Sequence, residues 1–167
     1  KLQKINGIVA SSKVLEDRVL FMFDGKEIVT YLKGVDASYG KVNDVKKTIF
    51  QGDWLEPNTT QVVVGYGISQ KLSLGLFEFN HPFEVFVPRP GKGAIENPEQ
   101  AFNKTAIAPV GIYAISEDLD SKYVYADLGL TQNLLEYKSN QISAIELKLK
   151  PNSDEEVIKK ELQSIFN

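Results

Sequence analysis

Apolar positions alternate with polar ones at both ends of the chain, and the period changes in between. Residues 5–14 and 18–23 carry alternating or β-branched apolar side chains and predict two strands. Asp24-Gly25 follows, a dipeptide suited to a two-residue hairpin turn, and residues 27–32 predict the return strand. Lys33-Gly34-Val35-Asp36 closes this block, and residues 36–40 read as loop. Residues 42–50 fit a short helical or extended piece, and residues 57–60 another loop. Residues 61–64 predict a short buried strand ended by Gly65, and residues 66–72 a short helix with Ile68 and Leu72 on one face. Phe83, Val85 and Val87 share one face of a predicted strand, with Glu84 and Phe86 on the other. Further strands are predicted over 105–115, interrupted at Gly111 in the manner of a bulge, and over 122–126, with a helix over 129–137. Ile145, Leu147 and Leu149 alternate with Glu146, Lys148 and Lys150 in a last half-buried strand that Pro151 ends. Ser153 and Glu156 form a capping-box pattern, with Ser153 as N-cap, before a terminal helix striped by Ile158, Leu162, Ile165 and Phe166.

This layout predicts an α+β fold in which the two ends share a layer and the middle is inserted. The segment that obeys neither period is 88–103, with three prolines and two glycines. Irregular stretches beyond about 12–15 residues are uncommon and tend to be functional or disordered. Its prolines lower the entropy lost on adopting one bound shape. Pro88, Pro90 and Pro98 stiffen it, Arg89 and Lys92 are cationic, and Ile95 and Phe102 are apolar anchors. These seven residues are the predicted partner-binding site.

Composition narrows the chemistry. At 167 residues the chain can bury a core without disulfides or metal, and it has no cysteine, so thiolate ligands and a cysteine nucleophile are excluded. A single histidine, His81, rules out a histidine-rich zinc site and is read as a turn residue. A net charge of −3 and a pI of about 5.3 argue against nucleic acid as a partner. Gly65-Tyr66-Gly67-Ile68-Ser69-Gln70 sits between a strand and a helix as a dinucleotide loop does, but Gln70 stands where the third glycine belongs. Gly25-Lys26 and Gly91-Lys92-Gly93 lack the rest of a phosphate loop. Glu117-Asp118-Leu119-Asp120 lacks the remaining ligands of a calcium loop, and no spacing joins Glu84, Glu96 and Glu99 into an acid–base pair. No catalytic residue, metal site or cofactor is predicted. No apolar run is long enough to span a membrane.

Four stretches together resemble a family. They are residues 19–36, ending Lys-Gly-Val-Asp; Val62-Val63-Val64-Gly65 with the helix to Leu76; Val110-Gly111-Ile112-Tyr113 to Asp120 with Tyr123-Val124-Tyr125; and residues 142–149 with the Ser153 helix. In this order they resemble the periplasmic domain of LolC/LolE-type lipoprotein-releasing ABC transporter permeases, similar in turn to MacB and FtsX-like permease domains. The resemblance implies a porter-like subdomain, 1–37 and 140–167, and a sabre-like inserted subdomain, 38–139. It implies a docking and motion-transmitting module without catalysis, in a bacterial inner membrane protein with this domain in the periplasm. The chain opens at Lys1 and is read as an excised or mature piece, with membrane helices expected on both sides. The implied partners are a LolA-like periplasmic lipoprotein chaperone, lipoprotein substrates, a permease partner and a cytoplasmic ATPase subunit. In the LolC type a proline-containing hairpin hooks the chaperone, and residues 88–103 stand at that position. The alternatives are a MacB-like efflux domain, an FtsX-like regulator of a cell-wall hydrolase and, ranked last, a stand-alone enzyme using His81 or the carboxylates.

Overall fold

A computed structural model describes residues 2–77, 80–91 and 98–166. The fold is α+β, as the alternation predicts. Among the described residues eight strands form one sheet, in the order β2-β7-β4-β6-β5-β1-β8, with β3 on β6 and a further β1–β2 ladder. The strands are β1 (Ile8–Phe23), β2 (Lys26–Val35), β3 (Ile49–Gly52), β4 (Gln61–Gly65), β5 (Phe83–Pro88), β6 (Phe102–Tyr113), β7 (Tyr123–Asp127) and β8 (Ala144–Leu149). Because β1 pairs with both β2 and β5, the path β1-β2-β7-β4-β6-β5 returns to its start. The helices are α1 (Tyr39–Val42), α2 (Tyr66–Leu72), α3 (Glu117–Asp120), α4 (Leu128–Leu134) and α5 (Glu155–Phe166).

The first two expected strands are one strand. Polar Glu16-Asp17-Arg18 suggests a break, yet these residues remain paired to Lys33, Leu32 and Tyr31 of β2, in that order. On its other edge β1 pairs β8 through residues 8–14 and β5 through residues 20–23. The charged step therefore falls where β1 changes partner. The turn after β1 is as expected: Asp24 and Gly25 have φ of 46° and 74°, the pair of positive values a type I′ hairpin requires.

Alternation along the strands sorts the apolar residues into two clusters. One gathers Val19, Phe21, Val64 and Val85 with Ile68 and Leu72 of α2 and Leu134 of α4. The other gathers Val14, Val63, Tyr113 and Tyr125 with Tyr39 and Leu55. Glycines allow the closest approaches. A Cβ on Gly34 would stand 2.4 Å from Thr131 Oγ1, so α4 reaches β2 only because that side chain is absent. Asp36, which ends the Lys-Gly-Val-Asp step, accepts hydrogen bonds from the Ser12 hydroxyl and from the Lys13 and Ser38 amides.

Two local expectations need correction, and a third gains its detail. Residues 36–40, expected as loop, contain the start of α1, whose Tyr39 is buried. The irregularity in β6 is a bulge at Val110, beside Gly111: Val62 faces Pro109 and Val63 faces Gly111. The terminal helix is capped by Asp154, not Ser153: Asp154 Oδ1 accepts from the Glu156 and Val157 amides at 3.1 and 3.2 Å. A cap must sit one residue before the first helical one, and α5 begins at Glu155.

Candidate functional site: the β5–β6 hairpin

β5 and β6 form an antiparallel hairpin whose ladder runs from Phe83↔Ile107 to Pro88↔Phe102. Phe83, Val85 and Val87 are buried, as their period-two spacing predicts, and hold β5 in the first apolar cluster. β1 accompanies β5 only as far as Leu20↔Phe86, and beyond Phe86 the hairpin continues without a β1 ladder. The irregular segment is shorter than its sequence suggests. Pro88 ends β5, and Phe102 and Asn103 begin β6. Proline's missing N–H costs nothing at the end of a ladder.

The predicted site residues fall around the hairpin end as follows. Pro88, Arg89 and Pro90 are exposed, and Phe102 is 41% exposed. The Arg89 amide donates to the Ala101 carbonyl at 2.9 Å, one step past the ladder. Pro98 opens a 3-10 turn, Pro98–Ala101, that leads back into β6. Lys92 and Ile95 lie outside the described residues. Arg89 is not merely a surface cation: its Nε donates to Asn103 Oδ1 at 2.8 Å. Lys104 stands 4.0 Å from Glu84 Oε1 and over the Phe86 ring, so an exposed cation also flanks the stem.

The other sequence candidates have structural explanations. His81 Nε2 lies 3.3 Å from Asp24 Oδ1 at the first hairpin turn, with its ring edge-on to Phe23. It borders an apolar hollow of about 400 Å³ that includes Leu74, Phe83 and Ile107. A Cβ on Gly65 would stand 2.1 Å from the Asp120 carbonyl oxygen, and one on Gly67 2.3 Å from Ser121 Oγ. That glycine pair makes room for α3, not for phosphates. Asp120, from the acidic turn, is buried and accepts from the Ile115 and Ser116 amides, so it holds a turn together. Among the described residues no group of histidines and carboxylates is placed to hold a metal ion. Glu84 faces Lys104, while Glu96 lies outside the described residues.

Sequence reading misses a polar cluster around the buried Lys33. Lys33 Nζ lies 2.6 Å from Glu146 Oε1 on β8 and 3.7 Å from Glu16 on β1. Asn43 Nδ2 donates to the other oxygen of Glu146. The ammonium also lies 5.1 Å from the Tyr123 ring centre and 5.6 Å from that of Tyr39. Burial opposes the charge on Lys33, but the hydrogen bond and charge of Glu146 outweigh it and raise its pKa. Lys33, Glu146 and Asn43 are more than a hundred residues apart at the extremes, so no local spacing announces them.

The class this fold defines is a mixed α+β domain similar in fold to the periplasmic region of MacB. The chain aligns over 99% of its length with 69% of the periplasmic region of MacB from Actinobacillus actinomycetemcomitans, at a TM-score of 0.67 and 18% identity. It aligns over 95% of its length with 73% of the extracellular domain of the noncanonic ABC-type transporter YknZ from Gram-positive bacteria, with a TM-score of 0.65 and 11% identity. A domain of a permease protein from Porphyromonas gingivalis matches 98% of the chain, over 71% of its own length, with a TM-score of 0.58 and 12% identity. At such identities the likeness is one of fold. No protein-family model and no curated protein matches the sequence. Among the described residues no helix is long and apolar enough to cross a membrane.

Proposed function

We propose that the chain is the extracytoplasmic domain of a bacterial ABC transporter permease, in which the β5–β6 hairpin docks a carrier protein during lipoprotein release. The observation that carries this reading is the hairpin itself. Its end is free of the β1 ladder, it exposes Arg89, Pro90 and Phe102 together, and its fold is shared with domains of MacB and YknZ. An exposed cation and aromatic ring side by side at the end of the hairpin suit a groove on a partner protein. The partners are a LolA-like periplasmic chaperone and its lipoprotein cargo. ATP is hydrolysed by a separate cytoplasmic subunit, and the domain itself is non-catalytic. The division into a porter-like part, 1–37 and 140–167, and a sabre-like part, 38–139, belongs to the same proposal. Pairing of β8 with the first half of β1 supports grouping the two ends, and the β2–β7 and β1–β5 ladders join them to the middle. The Lys33–Glu146 pair bridges β2 and β8 and gives motion a route between the chain end and the rest of the sheet.

The fold match to MacB favours a second reading, a domain coupling ATP hydrolysis to efflux. One titration separates the two. The domain, and a variant with residues 89–101 replaced by a short Gly-Ser linker, are titrated by calorimetry with the lipoprotein chaperone of the same organism. Binding by the first alone supports the docking reading. Equal binding by both moves the docking site off the hairpin. Binding by neither removes the lipoprotein carrier and leaves the efflux reading.

A further inference from the structure

Asn103 faces Val87 near the end of the β5–β6 ladder, and its amide side chain is used at both ends. Its Oδ1 accepts from Arg89 Nε at 2.8 Å. Its Nδ2 donates to the Leu134 carbonyl at 3.0 Å and to Glu136 Oε1 at 2.9 Å. Leu134 is the last residue of α4, and helix-end carbonyls have no partner within the helix. One side chain thus joins the cationic shoulder of the hairpin to the end of a helix on a different part of the chain.

Glu136 makes this junction more than a chance contact. It has φ of 57°, the left-handed conformation that usually falls to glycine or asparagine just past a helix. Its amide donates to the Asn133 carbonyl at 3.2 Å, and the Tyr137 amide to the Gln132 carbonyl at 2.8 Å, closing the helix in that conformation. Glycine would make this turn with less strain. The side chain that glycine lacks is the one that accepts from Asn103. Strain tolerated at one position, with its side chain spent on a single contact, points to that contact as the reason.

We propose that Asn103 is a positioning residue which, with Glu136, clamps the hairpin stem to the end of α4 and sets the direction in which the tip is presented. Its functional meaning rests on the docking reading above; the clamp itself does not. The hairpin swings on its ladder when the clamp is cut, since beyond Phe86 no β1 pairing restrains β5.

The absence of cysteine allows a direct test. Gly91→Cys, where an added Cβ meets nothing within 4 Å, and Asn133→Cys, exposed on α4, carry spin labels for distance measurement. The pair is measured alone, with Asn103→Asp and with Glu136→Gly. Asn103→Asp puts a carboxylate against the Glu136 carboxylate and the Leu134 carbonyl. Glu136→Gly removes the acceptor while relaxing the turn, so its melting temperature stays level or rises and a folding defect is not the cause of any loosening. A distance distribution that about doubles in width in both variants supports the clamp. An unchanged distribution in both overturns it. Affinity for the lipoprotein chaperone then falls about tenfold in both, because the direction of the hairpin must be fixed on binding. A widened distribution with unchanged affinity leaves the clamp standing and sinks the docking reading.

Discussion

Tyr113 is fully buried on β6, and its hydroxyl lies 2.8 and 2.9 Å from the carbonyl oxygens of Leu119 and Tyr123. Burial pushes this phenol well above the ordinary tyrosine range, and its neighbour Tyr125 in the same direction. In the unfolded chain both ionise near pH 10. A phenol whose pKa is raised by folding contributes stability below its unfolded pKa and loses it as pH rises above that value. Lys33 acts with the same sign: its raised pKa favours the fold below about pH 10.4 and is lost at higher pH. Stability should therefore be level near neutrality and fall above about pH 10. Tyr113→Phe should cost about 1–2 kcal/mol at pH 7 through the lost hydrogen bond. Its alkaline fall should be shallower than that of the parent. Denaturant melts from pH 7 to 11 check this; parallel curves for the two proteins would remove Tyr113 as a source of the alkaline loss.

At the scale of elements, what a short window of sequence contains was legible, and what depends on a distant partner was not. The I′ turn at Asp24-Gly25, β4, α2 and the buried alternation of Phe83, Val85 and Val87 follow from local pattern. The continuity of β1 across Glu16-Asp17-Arg18 does not, since β2 pairs those residues from outside the window. Nor does the true extent of the hairpin, because prolines and glycines mark a turn without fixing where its ladder begins. The cap of α5 shows how narrow such errors are. Ser153 and Asp154 are both good N-cap residues, and only the helix start decides between them. Asp154→Ala should destabilise α5 by about 1 kcal/mol, while Ser153→Ala should change little. Thermal melts of the two variants check this; a larger loss for Ser153→Ala would restore it as the cap.

At the scale of the whole molecule, the candidate site was visible as a break in periodicity, and its setting was not. The sequence marks Pro88, Arg89, Pro90, Pro98 and Phe102 as unusual; the sheet brings them to one end of a hairpin, past the point where its ladder with β1 ends. Asn103 and Glu136 lie 33 positions apart, and their meeting depends on how α4 packs across β2 and β6. The glycine pair at the start of α2 and the acidic turn of α3 looked like ligand motifs because each satisfies a backbone demand that ligands also exploit: close approach in one case, clustered amides in the other. The central claim is that the hairpin end is where the partner sits. A photoreactive benzophenone side chain placed at Pro90, and separately at exposed Phe50 on β3 as a control, tests it in intact cells. The account predicts an adduct from Pro90 that mass spectrometry identifies as the lipoprotein carrier, with none from Phe50. The carrier captured from Phe50 and not from Pro90, or from neither, would contradict it.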